Sequence, residues 1–259
     1  MAIRLKTPEQ IEKIRAAGRV VNLVLKRLGE MVAPGVSTLE LDAEAQRLCK
    51  DHGGICLFKG VPGRGKAGPF PGAICASLNE EVVHGIPSGR LIRRGDIISV
   101  DFGVRLDGWC GDAAATFMVP DVSSDVRRLM DVTRNSLEMA IAMCRPGGQW
   151  STIARAMQEF IEDEGFSVVR DFVGHGIGAS MHEDPKVPNF LTRELEMRDI
   201  ELKEGLVLAV EPMVNMGSPA VEYGPDGWTV VTKDRLPSAH FEHTIAITGK
   251  GADVLTDGR

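Results

Sequence analysis

The feature that most constrains the fold of this 259-residue chain is a repeated pair of helix-stop signals. Pro34-Gly35 returns as Pro146-Gly147 and Gly53 returns as Gly165, each pair 112 residues apart. Apolar positions keep the same offset, Leu41 with Ile153 and Leu48 with Phe160. A chain that repeats helix, stop and helix at one interval is confined to folds made of two similar halves. Those halves are about 1–119 and 120–259, parting near Pro120, within one domain spanning 1–259.

Local signals fill in the halves. Thr7, Pro8 and Gln10 form the capping box and first-turn proline of a helix that carries Ile14, Val21, Leu25 and Leu28 at helical spacing. Ser37 and Glu40 open a second helix with Leu41, Ala45 and Leu48 on one face. Ser124 starts a third, carrying Leu129, Val132, Leu137 and Ile141; Ile153, Met157 and Ile161 mark a fourth. Strand-rich stretches follow each helix pair, expected at 73–78, 96–102 and 111–119, then at 168–172, 206–212, 228–232 and 241–247. The class is α+β. The 59–72 segment, rich in Gly and Pro, reads as a loop. No Ser or Thr follows Lys66, so it is not a phosphate cradle.

Composition excludes several classes. A net charge of −6 without a long basic tract argues against nucleic-acid binding by charge alone. The five cysteines form no Cys-x-x-Cys pair, which argues against a thiolate zinc site or a disulfide framework and fits a reducing, cytoplasmic setting. Met1 to Lys6 becomes charged at once, with no apolar stretch expected of a signal peptide. Apolar runs such as Leu206 to Val210 are too short to span a membrane.

Carboxylates within apolar strands are the informative anomaly. Asp101 sits in Ile97-Ile98-Ser99-Val100-Asp101-Phe102, and Asp112 begins the returning strand. Asp107-Gly108 between them is a hairpin signal. A two-residue loop makes Asp101 face residue 114 and lie diagonal to Asp112; a four-residue loop makes the two aspartates face each other. Both registers put them on one sheet face, because side chains alternate with period two. Such a pair repels unless a cation lies between them. His175 stands between glycines in Gly174-His175-Gly176-Ile177-Gly178, Glu211 ends an apolar strand, and Glu242 leads another. Oxygen and imidazole donors without thiolate suit hard or borderline divalent ions. Four carboxylates balance two such ions.

The order Asp101, Asp112, His175, Glu211, Glu242 resembles the ligand set of the pita-bread-fold metallopeptidases, and within them the bacterial, type I methionine aminopeptidases. The matching segments also include Val82-Val83-His84-Gly85-Ile86-Pro87, Met181-His182-Glu183-Asp184-Pro185, Val210-Glu211-Pro212 and Phe241-Glu242-His243-Thr244. The chain has no room for the large helical insert of the type II form. The resemblance implies a pita-bread fold of pseudo-twofold halves, each a helix pair plus antiparallel sheet, around a dinuclear metal site. It implies removal of the N-terminal methionine from nascent proteins and peptides when the second residue is small, a pattern that this chain's own Met1-Ala2 satisfies. The metals would be two divalent ions of cobalt, manganese, iron or zinc, with Asp112 and Glu242 bridging, Asp101 on one ion, and His175 and Glu211 on the other. Glu211 would shuttle a proton, His84 would lie near the peptide N-terminus, and His182 would hydrogen-bond the scissile amide. His52, His240 and His243 have no match and read as structural.

The implied methionine pocket contains Cys75, nine residues before His84, with Cys56, Phe58, Met181 and Trp228 as further walls. Two departures from the family pattern stand out: a longer 59–72 loop, and Met181 where phenylalanine is common. The expected partner is the N-terminal peptide of newly made proteins, and the protein is expected to be a monomer without a membrane partner. Arg90, Arg93 and Arg94 read as a solvated basic loop, the ribosome surface being the other partner they could meet. The competing readings are a prolyl-type peptidase of the same fold and a non-catalytic relative.

Overall fold

The structure is a computed structural model and describes residues 3–259. Met1 and Ala2, and with them the start of the charged N-terminus and the Met1-Ala2 substrate pattern, lie outside the described residues.

The expected helices form. Helix α1 is Pro8–Met31 and α2 is Thr38–Asp51, each opened by a complete capping box, Thr7 with Gln10 and Ser37 with Glu40. Helix α3 is Ser124–Met143, capped by the Ser123 hydroxyl, and α4 is Trp150–Asp163. The ends of α1 and α3, and both ends of α2 and α4, correspond at the 112-residue offset. The stops correspond too: Gly35 and Gly147 adopt φ of 93° and 80°, and Gly53 and Gly165 adopt 73° and 80°. These left-handed values favour glycine. Helix α4 has no side-chain cap of its own. Its Ser151 amide instead donates to Asp199 Oδ1 at 3.0 Å, a cap delivered from a distant segment. A short helix, α5, covers Arg193–Met197.

One nine-stranded antiparallel sheet joins the halves. Its path runs Ile55–Cys56, Ile97–Leu106, Trp109–Met118, Glu242–Thr248, Val207–Val210, Gly174–Gly176, Glu183–Val187, and Cys75–Leu78 and Gly251–Val254 pair alongside. The crossing between halves is the pairing of Trp109–Met118 with Glu242–Thr248. Between Ile97–Leu106 and Trp109–Met118 the turn is the two-residue Asp107-Gly108, because Leu106 pairs with Trp109. Their φ values of 48° and 84° suit the type I′ turn that Asp-Gly favours. Asp101 therefore faces Ala114 and lies diagonal to Asp112. The stretch expected as a strand at 168–172 is shorter, being Ser167–Val168.

Each half packs its own helices on this sheet. Val21, Leu28, Leu41 and Phe102 belong to one core; Leu129, Trp150, Met157 and Leu208 belong to the other. Trp150 is fully buried and its indole N–H donates to the Pro188 carbonyl at 2.8 Å. This satisfies the one polar group that the ring takes into the core. Among the described residues, no helix is long and apolar enough to cross a membrane.

Candidate metal centre and substrate pocket

Five adjacent strands of the sheet each supply one of the five candidate ligands. Asp101 comes from Ile97–Leu106, Asp112 from Trp109–Met118, Glu242 from the start of Glu242–Thr248, Glu211 from just beyond Val207–Val210, and His175 from the middle of Gly174–Gly176. Asp101 and Glu242 flank the same residue, Ala114, from opposite sides. The last strand needs its glycines for backbone approach. A Cβ on Gly174 would lie 2.3 Å from the Ala209 carbonyl oxygen, and one on Gly176 would lie 2.3 Å from that of Asp184.

These side chains converge. Ligand atoms of Asp112, His175 and Glu242, all buried, lie within 4.8 Å of one another. His175 Nε2 is 3.6 Å from Glu211 Oε1. His175 Nδ1 is 2.9 Å from the Gly176 carbonyl oxygen, so Nδ1 carries the proton that it donates there. That leaves the Nε2 lone pair facing the carboxylates, the arrangement of a metal-ligating imidazole. The Asp112 strand is held in place by Thr244, whose hydroxyl accepts from the Asp112 amide at 3.1 Å and donates to its carbonyl at 2.7 Å.

The electrostatics call for cations. Burial, then Asp112 and Glu211, push Asp101 well above the usual carboxylate range. Burial and the neighbouring carboxylates, Asp112 foremost, do the same to Glu211 and Glu242. Burial pushes Asp112 up to about 7. Burial pushes His175 down to about 4, so the imidazole is neutral at pH 7. Asp101 Oδ1, Asp112 Oδ1 and Glu242 Oε1 are buried without a hydrogen-bond partner. Leaving such oxygens unsatisfied costs about 1–3 kcal/mol each, more when charged. A divalent ion removes that penalty and the mutual repulsion together, so the residues present fit a metal centre.

A group of packed apolar side chains, the candidate methionine-binding walls, adjoins these carboxylates. Phe58, Phe70 and Cys75 are buried together, with Leu57, Ile86, Met181 and Trp228 packed against them. Cys75 pairs across the sheet with Asp101, which sets this apolar group beside the carboxylates. His182 packs its ring on His175, with centroids 4.3 Å apart. His84, held at a φ of 59°, meets Phe172 edge-on at 5.4 Å and Trp228 at 6.4 Å. Burial, then the Arg64 charge, pushes His84 down to about 4.

Of the expected walls, Cys75, Phe58, Met181 and Trp228 pack together in this apolar group. Cys56 is placed elsewhere: it packs against the first-half core that contains Cys49, because its strand pairs with Val104 rather than reaching inward. Phe70, Leu57 and Ile86 join the walls without having been expected from sequence. Phe70 is reachable because the 59–72 loop closes on itself, Gly60 N donating to Phe70 O at 2.8 Å and Phe70 N to Val61 O at 2.9 Å. A lone aromatic inside a Gly- and Pro-rich loop was the available signal. His240, expected to be structural, has Nε2 3.9 Å from Glu211 Oε2 and is 2% exposed. It ends the strand Ser238–His240, which pairs with Met213–Asn215 just beyond Glu211, a contact that no local pattern signals. His243 bonds Thr256, and His52 bonds Leu48, both away from the centre.

The sequence profile of metallopeptidase family M24 matches residues 12–249. The chain is 48% identical to methionine aminopeptidase 1 of Bacillus subtilis over 251 residues, covering 97% of this chain and 98% of that one. A methionine aminopeptidase structure from Thermotoga maritima superposes with a TM-score of 0.92 at 41% identity, covering 98% and 99% of the two chains. A prolidase from Pyrococcus furiosus superposes at 0.75 with 22% identity, covering 97% of this chain and 65% of the prolidase, a likeness of fold alone. With its carboxylate and imidazole centre in the pita-bread fold, the chain belongs to metallopeptidase family M24, on its type I methionine aminopeptidase branch.

Proposed function

We propose that this protein removes the N-terminal methionine of newly made proteins and peptides when the second residue is small, using two divalent ions held by Asp101, Asp112, His175, Glu211 and Glu242. The supporting observation is the Cys75–Asp101 pairing, which sets an apolar cluster beside a group of carboxylates in need of cations. When bound, such ions supply Lewis-acid polarisation of the scissile carbonyl and lower the pKa of water from 15.7 to about 7. Asp112 and Glu242, central in the five-strand series, would hold the ions together with Asp101 on one side and His175 and Glu211 on the other. Cobalt, manganese, iron and zinc all suit these donors.

The chain's own groups do the rest. The unbranched methionine side chain fills the Phe58, Phe70, Cys75, Met181 and Trp228 pocket. His84 is neutral and offers a ring nitrogen at the pocket mouth to the substrate's terminal amine. His182 donates a hydrogen bond to the scissile amide as charge develops on its oxygen. Glu211 accepts a proton from the attacking water and returns it to the leaving amine. The second residue lies between His182 and the carboxylates, so a bulky side chain there displaces the scissile bond. A misplacement of about 1 Å can cost on the order of 10²-fold.

A peptide series tests this reading. Met-Ala-Ser should show a kcat/KM at least ~100-fold above Met-Leu-Ser and Leu-Ala-Ser. Comparable rates on Leu-Ala-Ser would refute the methionine pocket, and a preference for Ala-Pro would transfer the chain to the prolyl-type peptidases.

A further inference from the structure

Lys6 precedes α1 and is buried, and its partner lies 177 residues away. Its ammonium donates to Glu183 Oε2 at 2.7 Å, with side chains only 4% and 11% exposed. It also donates to the Arg4 carbonyl at 2.9 Å. The Lys6 backbone is pinned as well, its amide donating to the Gly205 carbonyl at 2.7 Å. On the other side, Glu183 Oε1 accepts from the Ser180 amide at 3.2 Å. The carboxylate thus ties the start of the Glu183–Val187 strand to the middle of the segment 177–182. That segment carries Met181 of the pocket wall and His182, whose ring packs on His175.

The fit is tight. A Cβ on Gly178 would come within 2.6 Å of Glu183 Oε1 and 2.7 Å of Lys6 Cε. The last glycine of Gly174-His175-Gly176-Ile177-Gly178 therefore makes room for this ion pair. The other end of the segment is fixed to the sheet, where Cys110 N donates to the Gly178 carbonyl at 2.8 Å. Removing the cation would leave Glu183 as a poorly compensated charge in a mostly buried place, which is strongly unfavourable. The carboxylate would turn toward water and release the Ser180 amide.

We propose that Lys6 is a positioning residue for the reaction: through Glu183 it holds the segment 177–182 so that His182 stands against His175. The proposal rests on the reading of His182 given above. It places Lys6 outside direct contact with substrate or metal.

The test uses the metal-loaded enzyme. Lys6→Met keeps the aliphatic stem beside Gly178 and removes the charge. It should lower kcat on Met-Ala-Ser by ~10- to 100-fold with KM within about twofold, the pattern of a misplaced transition-state group. Metal content should be unchanged, and Lys6→Arg should recover most of the loss. Hydrogen exchange at the Ser180 amide should accelerate in Lys6→Met and not in Lys6→Arg. A folded Lys6→Met with wild-type kcat overturns the proposal, as does a kcat loss with Ser180 exchange unchanged. If Lys6→Met does not fold, Glu183→Gln decides by the same readouts. Should wild-type protein fail to cleave methionyl peptides, the earlier reading fails, whereas Ser180 exchange still reports whether Lys6 fixes the segment.

Discussion

Asp101 and Glu211 occupy equivalent positions in the two halves. Each lies six residues beyond a glycine in the left-handed region, Gly95 at φ 86° and Gly205 at φ 87°, and each follows a buried run of strand, Ile97 to Val100 and Val207 to Val210. One carboxylate from each half is thereby delivered at the same strand depth, from either side of the central strands carrying Asp112 and Glu242.

That placement makes Asp112 central to any bound cation. Asp112→Asn keeps the shape and removes one of four negative charges. Bound metal should fall, and activity should drop by at least ~10²-fold, the order seen when a key electrostatic group is lost. Elemental analysis alongside peptide turnover checks both. Full metal content with near-wild-type turnover would show that Asp112 is not a ligand.

His182 contacts His175 without belonging to the converging Asp112, His175 and Glu242 set. His182→Ala should lower kcat by ~10²–10⁴ and leave metal content intact. A change confined to KM would make this histidine a contributor to uniform substrate binding instead.

The metal-free protein should lose stability as pH rises above about 7.5. Asp112 is pushed up to about 7, and Asp101, Glu211 and Glu242 well above their usual range. For these groups the folded state binds more protons than the unfolded chain, so stability falls with rising pH. His84 and His175, pushed down to about 4, His240, pushed down to about 3, and His182 and His243, also lowered, act in the opposite sense, and their effect levels off about one unit above the ordinary histidine value of about 6.5. Above that the carboxylates dominate, and the buried thiols of Cys75, Cys110 and Cys144, whose pKa values are raised by burial, act in the same sense. Thermal unfolding of chelator-treated protein at about pH 7.5 and 9 should show a lower Tm at the higher pH, recovered by added manganese or cobalt. A Tm that rises over this interval without metal would contradict the carboxylate burial described above.

Gly18 on α1 tests the packing behind the site. A Cβ there would stand 2.1 Å from the Leu255 carbonyl oxygen, and one on Gly111 would stand 2.8 Å from the Gly18 nitrogen. Alanine is worth about 1 kcal/mol over glycine within a helix. Overpacking a tight interior costs about 1–3 kcal/mol, and here the obstacle is backbone. Gly18→Ala should therefore destabilise on balance, read as a lower urea midpoint. A raised midpoint would mean that α1 does not approach the Leu255 segment this closely.

The sequence alone determined the features that arise within a turn or a strand. The capping boxes at Thr7 and Ser37, the 112-residue repeat of stops, and the Asp107-Gly108 turn are written in neighbouring residues, because capping bonds and side-chain alternation act over a few positions. The identities of the candidate ligands were legible for the same reason: charged groups inside apolar strands are costly unless something pairs with them. The tertiary structure alone decided which residues meet across the chain. It gave α4 a cap from Asp199, packed Cys56 on the first-half core, brought Phe70 against Cys75, and set Lys6 on Glu183. The contacts with Asp199 and Glu183 span tens to hundreds of residues. No local periodicity encodes them; they exist only once the two halves have closed into one sheet and the cost of ordering the intervening chain has been met by the whole core.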